Sequence, residues 1–297
     1  MKGILHEFAR LIIRKSFSCR EDETIRDCAE RKKAKLSTRF DRVPYGIDDL
    51  RKALFDVGVR PGDVLMVHCA WRSFYNFTGS PDDVLECLLE LLGKDGTLLM
   101  PAYGKDLYSF DVADTPSVAG VLSEVFRKKD GVIRSESSHF SVAGVGPATE
   151  ELFSQCGRSV NGFDENSAYG SFARSKNGKV LIMGLGQEPA KLSLIHVSEY
   201  GHIGSSENCK RMFDKTYDAE LTLSSGDTCV RQMVTWSRGG QLNDSEIREI
   251  YRSIPSYRDQ HLGKNHIVCV NASEAMDYID RKVEEGVRFT FAGNQDR

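Results

Sequence analysis

The sequence contains no Cys-x-x-Cys pair. Its eight cysteines stand at 19, 28, 69, 87, 156, 209, 229 and 269. That spacing excludes the zinc-finger type of metal site, and no metal ligand is assigned from it. Scattered thiols suit reduced cysteines in a cytoplasmic protein. No apolar run reaches the length that crosses a bilayer. No Gly-x-Ser-x-Gly elbow occurs, which removes the standard serine hydrolases. No Gly-x-Gly-x-x-Gly or Walker sequence occurs, so dinucleotide and P-loop chemistry lose support. An excess of positive charge is missing too. The 40 Lys and Arg face 43 Asp and Glu, a net charge of −3, and a nucleic-acid partner is excluded as the main one because phosphate binding needs a basic face. Internal repeats and low-complexity runs are absent.

What remains is a chain of 297 residues, 40% hydrophobic and 28% charged, enough for a sizeable core and too apolar for disorder. Residues 1–16 interleave Ile4, Leu5, Phe8, Leu11, Ile12 and Ile13 with Lys2, Arg10, Arg14 and Lys15. The pattern is that of an amphipathic helix with basic flanks. It packs on its own domain or a second subunit, or it touches a membrane surface. It lacks the long apolar centre and small-residue cleavage site of a secretory signal. Residues 17–40 are charge-rich around Arg31-Lys32-Lys33, so 1–44 reads as a helix with a charged linker. The main domain is expected over 45–292, with 293–297 a frayed tail.

Within that domain, apolar runs alternate with helical periodicity. Helix is expected over 47–57, strand over 63–68 and 97–100. Ser80-Pro81-Asp82-Asp83 reads as a capped helix start running to Leu92 and Gly93. A second helix, capped by Ser117, is expected to Lys129, and another over 147–156. Strands are expected over 140–145, 179–184, 219–223 and 266–270, and helices over 244–254 and 273–285. Such alternation gives an α/β sheet covered on both faces.

The run Lys179-Val-Leu-Ile-Met-Gly184-Leu-Gly186 is a buried strand ending in a tight turn. His196 and Glu199 follow and, three apart, share one helical face. A base beside a carboxylate just past a core strand is where α/β enzymes place chemistry, though a surface His–Glu pair reads the same way. His68-Cys69-Ala70-Trp71-Arg72-Ser73 follows another strand. It offers backbone N–H groups and a cation to a phosphate, or is an ordinary connection. Thr115-Pro116-Ser117 reads as a structural cap. Arg134 to Ser141 is dense in hydroxyls, and its His139 is a candidate to titrate near neutrality.

Six pieces in order resemble the aminoglycoside 3-N-acetyltransferase family: Asp63-Val-Leu-Met-Val-His68 with Arg72-Ser73; Asp95-Gly-Thr-Leu-Leu-Met-Pro101; Thr115-Pro-Ser-Val-Ala-Gly120 with Glu124 and Arg127; Arg134-Ser135 with Ser141-Val-Ala-Gly-Val-Gly146; Ser167 with 179–184; and His196 with Glu199. The resemblance covers about residues 45–292. It implies a three-layer α/β/α sandwich with a central mixed sheet, unlike the commoner acetyltransferase superfamily. It implies acetyl-CoA as co-substrate and a small amino-sugar acceptor. It places His68, Cys69, Ala70, Trp71, Arg72, Ser73, Thr115, Ser117, Arg134 and Ser141 toward the donor. His196 becomes the general base, with acidic support from Glu199 or a downstream carboxylate such as Asp244 or Glu246. Two departures stand out. Cys69 and Ala70 replace the family's two serines, and Ser137-Ser138 occupy its His-Pro places, with His139 two positions late.

The expected reaction is direct attack of an amine on the thioester, with donors near Ser141 for the developing oxyanion. The resemblance further implies an amino sugar of a surface-polysaccharide or antibiotic pathway as the acceptor. The altered Ser137-Ser138 and the weak net charge favour such a sugar over a polycationic drug. The rivals are a resistance enzyme for aminoglycoside antibiotics, an acyl hydrolase or O-acyltransferase using the same histidine, a non-catalytic binding protein, and a membrane-associated factor resting on residues 1–16. The first two are told apart by where the acetyl group ends.

Overall fold

The computed structural model describes residues 43–186, 191–235 and 240–291. The expected N-terminal helix, its charged linker and the frayed tail therefore lie outside the described residues.

The central sheet is built from strands that are apolar on both faces. β1 (Val64–Cys69), β2 (Thr97–Pro101) and β6 (Gly178–Met183) are its middle. They run parallel in the order β6-β1-β2, and Leu65 pairs with both Leu98 and Lys179. β5 (Val142–Val145) and β4 (Ile133–Arg134) extend one side antiparallel. β11 (Asn265–Asn271) and β10 (Arg258–Leu262) extend the other. The result is a seven-stranded mixed sheet, β10-β11-β6-β1-β2-β5-β4. Parallel strands buried on both sides are what continuous apolar runs such as Val-Leu-Met-Val predict.

Alternation within those runs sorts side chains into two cores. Leu65, Val67, Leu98, Met100, Leu181 and Met183 meet α1 (Ile47–Asp56), α2 (Pro81–Leu92) and α3 (Val121–Phe126) through Leu50, Leu54, Leu85, Leu88, Leu122 and Phe126. Met66, Leu99, Val180, Ile182 and Val268 face the other way. They meet Phe172 of α5 (Ala168–Ala173), Ile195 of α6 (Leu194–Gly201), Ile250 of α8 (Asp244–Ser253) and Ile279 of α9 (Ala272–Glu284). Two helical layers thus enclose one sheet, the expected α/β/α arrangement. Short α4 (Thr149–Phe153) and α7 (Glu207–Met212) complete the α-helices among the described residues.

A separate three-stranded sheet joins β3 (Ser109–Asp111) to the hairpin of β7 (Lys215–Thr222) and β8 (Thr228–Thr235), around Phe110, Leu221 and Met233. Two further residues each form β9 (Gln241–Leu242) and β12 (Thr290–Phe291), which pair antiparallel.

The α2 start is as expected: Ser80 accepts from Asp83 N at 3.2 Å, while the Asp83 carboxylate accepts from Ser80 N at 2.7 Å. The expected 117–129 helix is shorter. α3 begins after Gly120, and the Ser117 hydroxyl accepts instead from Ala119 N at 3.2 Å. The reason is Glu124, whose carboxylate reaches back to Ser117 N at 2.7 Å and holds 117–119 as a turn outside the helix.

Candidate active site

The carboxyl ends of the three parallel strands open on a cavity of about 370 Å³. His68 and Cys69 at the end of β1, Pro101 at the end of β2, and Leu185 just beyond β6 line it, with Lys191, Leu192 and Ser193 leading into α6. Ligands of open α/β sheets bind at strand ends of this kind. Tyr103, Phe140, Phe163 and Tyr169 also line it. Phe163 is their hub, with ring centroids 4.6 Å from Phe140, 5.4 Å from Tyr169 and 5.1 Å from His196. Among the described residues other than glycine, Phe140 alone has positive φ, 54°. Such backbone strain in a bulky residue is held only by surrounding structure.

His196 also lines the cavity, one helical turn from Glu199. Its Nδ1 lies 3.0 Å from Glu199 Oε2. Glu199 is 1% exposed, and a bare carboxylate there would be costly. Thr290 on β12 resolves that cost: its N–H donates to Oε1 at 2.8 Å and its hydroxyl donates to Oε2 at 3.0 Å. Thr290 is 91 residues from Glu199, and nothing in the sequence of a two-residue strand marks its partner. The downstream candidates do other things. Asp244 is exposed at the start of α8, 3.7 Å from Arg248, and Glu246 sits in the same first turn.

Two other histidines stand near His196 and differ from it electrostatically. Burial pushes the His68 imidazole down to about 4; its Nε2 is 3.5 Å from Ser193 Oγ. Burial, and then the charge of His196, push His139 down to about 3. His139 Nδ1 accepts from Gly162 N at 3.1 Å, so the proton of this neutral ring is on Nε2. His139 therefore does not titrate near neutrality as the sequence suggested. Rings that resist protonation this strongly make poor bases at neutral pH, whereas His196 has a carboxylate to stabilise its imidazolium.

The other expected donor residues divide. His68 and Cys69 reach the cavity. Ala70 to Ser73 form a turn beside it, in which Trp71 stacks on Phe74 at 4.9 Å and Arg72 is exposed. The Ser73 hydroxyl donates to Gly184 O at 2.6 Å and ties this turn to the end of β6. Thr115, Ser117, Arg134 and Ser141 are not among the lining residues. Thr115 Oγ1 accepts from Asp111 N at 2.8 Å. Arg134 is buried over the Phe110 ring and donates to the carbonyls of Val112, Thr115 and Ala102. Its guanidinium braces loops, and burial lowers it to about 10. Ser141 is fully buried and donates to Ala102 O at 3.0 Å. In the family's His-Pro places, Ser137 donates to His139 O at 3.0 Å and Ser138 Oγ lies 3.3 Å from Tyr217 OH. Lys191, at the cavity, was missed because nothing in its sequence neighbourhood marks a cavity edge.

The described residues thus combine a three-layer α/β/α fold with a histidine–carboxylate pair in a cavity at the parallel strand ends. The family model described as aminoglycoside 3-N-acetyltransferase matches residues 66–284, about three quarters of the chain, and the chain belongs to that family. It is 33% identical over 151 residues to aminoglycoside N(3)-acetyltransferase IV of Salmonella sp, covering 49% of this chain and 55% of that protein. The chain spans about half the length of the curated relatives it matches. Solved structures share the fold. Aminoglycoside acetyltransferase AAC(3)-Xa is similar with a TM-score of 0.69 at 20% identity, over 86% of this chain and 98% of that one. AAC-IIIb, solved as a binary complex with CoASH, is similar with a TM-score of 0.67 at 20% identity, over 85% and 99%.

Proposed function

We propose that this protein is an acetyl-CoA-dependent N-acetyltransferase that acts on an amine of an amino-sugar acceptor. The observation that carries the proposal is the His196–Glu199–Thr290 arrangement in the strand-end cavity, in a chain of this family. Relatives named as aminoglycoside N(3)-acetyltransferases support the reaction type and make aminoglycosides the first acceptors to test.

The cavity fits the donor's reactive end. Its volume is in the range of small-molecule sites, and its apolar walls suit a thioester arm. The exposed cations Lys191 and Arg72 stand at its edge and on the adjoining turn, where they pair with phosphates. Bound acetyl-CoA supplies an activated acetyl carbonyl. The acceptor amine reacts as the neutral base, its ammonium proton having gone to solvent, and His196 Nε2 takes a further N–H proton as nitrogen bonds to the carbonyl carbon. Glu199 fixes the imidazole through Nδ1 and stabilises the imidazolium, and Thr290 fixes Glu199. The same imidazolium then returns its proton to the departing thiolate. No acyl-enzyme is required: Cys69, the cysteine that lines the cavity, has its thiol pushed up to about 12 by burial and is a weak nucleophile.

The test is purified protein with acetyl-CoA and a panel of aminoglycosides and mono-amino sugars, read by thiol release and product mass. Acetyl on an amine supports the proposal. Acetyl only on hydroxyl groups or on water points to the O-acyltransferase or hydrolase reading instead.

A further inference from the structure

We infer that the β10–β11 hairpin carries a divalent transition-metal site made of Asp259, His261 and His266. This goes beyond the acetyl-transfer reading and does not depend on it. The backbone register brings the residues together. His261 pairs directly across the hairpin with His266, and Asp259 is two residues before His261 on the same strand. Directly opposed residues, and residues two apart, share one face of a sheet. All three side chains therefore meet on one face at the edge of the central sheet.

Their ligating atoms also converge. Both Nε2 atoms approach one oxygen, Asp259 Oδ2: His266 at 2.8 Å and His261 at 3.8 Å. One ligand atom from each residue lies within 4.8 Å of the other two. The imidazole rings stack at 4.1 Å with 3° between their planes. Tetrahedral zinc with bonds near 2.0–2.1 Å needs ligand atoms about 3.4 Å apart. The His266–Asp259 separation must open and the His261–Asp259 separation must close, each by about half an ångström, and the third, between the two imidazole nitrogens, starts within 4.8 Å. The His261 side chain, 51% exposed, can turn to do this, and Asp259, 39% exposed, can follow. His266 is the fixed member, 4% exposed. Among the described residues its inner nitrogen, Nδ1, has no hydrogen-bond partner. The polar end that justifies a buried imidazole at this position is thus Nε2, aimed at the cluster. Two imidazoles and one carboxylate suit Zn²⁺, Ni²⁺ or Cu²⁺ and not Mg²⁺ or Ca²⁺, which take oxygen ligands. A metal there clasps an edge strand to its neighbour, at the place where a sheet is most open to unwanted pairing.

The experiment is calorimetric titration of Zn²⁺ into the untagged full chain stripped with EDTA. His261→Ala, Asp259→Asn and a control, His202→Ala, are titrated in parallel. The first two replace exposed side chains and leave the core intact. One Zn²⁺ per chain is expected. Its affinity should fall at least about tenfold in His261→Ala and Asp259→Asn, since loss even of an outer partner of a metal ligand costs about 10- to 100-fold. His202→Ala should bind as the parent does. Zn²⁺ should raise the Tm of the parent and not of His261→Ala. No saturable binding by the parent, or equal affinity in His261→Ala, would overturn the assignment.

Discussion

Glu199 has almost no exposed surface, yet three donors from two residues, His196 and Thr290, converge on its two oxygens. Under the proposed mechanism Thr290 is a positioning residue: it acts on His196 only through Glu199. Thr290→Val keeps the shape and the N–H but removes the hydroxyl donor. A hydrogen bond to a charged group is worth about 1.5–3 kcal/mol. Thr290→Val should therefore lower kcat about tenfold or more, with KM for acetyl-CoA little changed, and Thr290→Ser should restore most of it. Steady-state kinetics of the two variants decide, and equal loss in both would show a packing role only. Arg72 makes the complementary case. Arg72→Ala should raise KM for acetyl-CoA and leave kcat nearly intact, and unchanged CoA affinity by calorimetry would remove it from the donor site.

At the scale of elements, the junction between β6 and the 70–73 turn holds the site together. Gly184 has φ 72°, and a Cβ there would lie 2.5 Å from Ser73 Cβ and 3.0 Å from Ala70 O. Gly184→Ala should cost about 1–3 kcal/mol from backbone strain alone. It should also displace the turn that bears Arg72 and so raise KM for acetyl-CoA. Urea unfolding and kinetics measure both effects, and parent-like values would show that the junction yields freely. This junction also shows what a sequence reveals. Lys179 to Gly184 is legible as a buried strand ended by glycine because burial and backbone freedom are local properties. The α2 cap is legible for the same reason. His196 and Glu199 are legible as a pair because helical spacing puts them on one face. Thr290, Lys191 and the Asp259–His261–His266 convergence are not, because each depends on contacts across the fold. Arg134 shows the converse. The resemblance places it toward the donor, whereas in the fold all its described hydrogen bonds go to carbonyls.

For the whole molecule, the two suppressed histidines give stability a sign in pH. His68 and His139 ionise near 4 and 3 in the fold against an ordinary 6.5. The unfolded chain therefore binds more protons than the folded one below about 6.5. Stability is fully present above that pH and falls as pH drops through about 6.5 toward 4. The slope is up to about 1.4 kcal/mol per pH unit for each group. Urea titrations between pH 7 and 4.5 should show this fall, and His68→Asn should flatten it. A pH-independent midpoint would mean that neither ring stays neutral in the fold. Among the described residues no helix is long and apolar enough to cross a membrane. The expected membrane or subunit contact of residues 1–16 rests on their sequence alone.

The proposed mechanism rests on His196 as the base. The direct measurement is single-turnover acetyl transfer to an amine acceptor by the parent and by His196→Ala, with CoA affinity measured on the same samples. With His196 as the base, the rate should be about 10²- to 10⁴-fold lower in the variant, with CoA bound as tightly as before. Near-parent transfer by His196→Ala would contradict it.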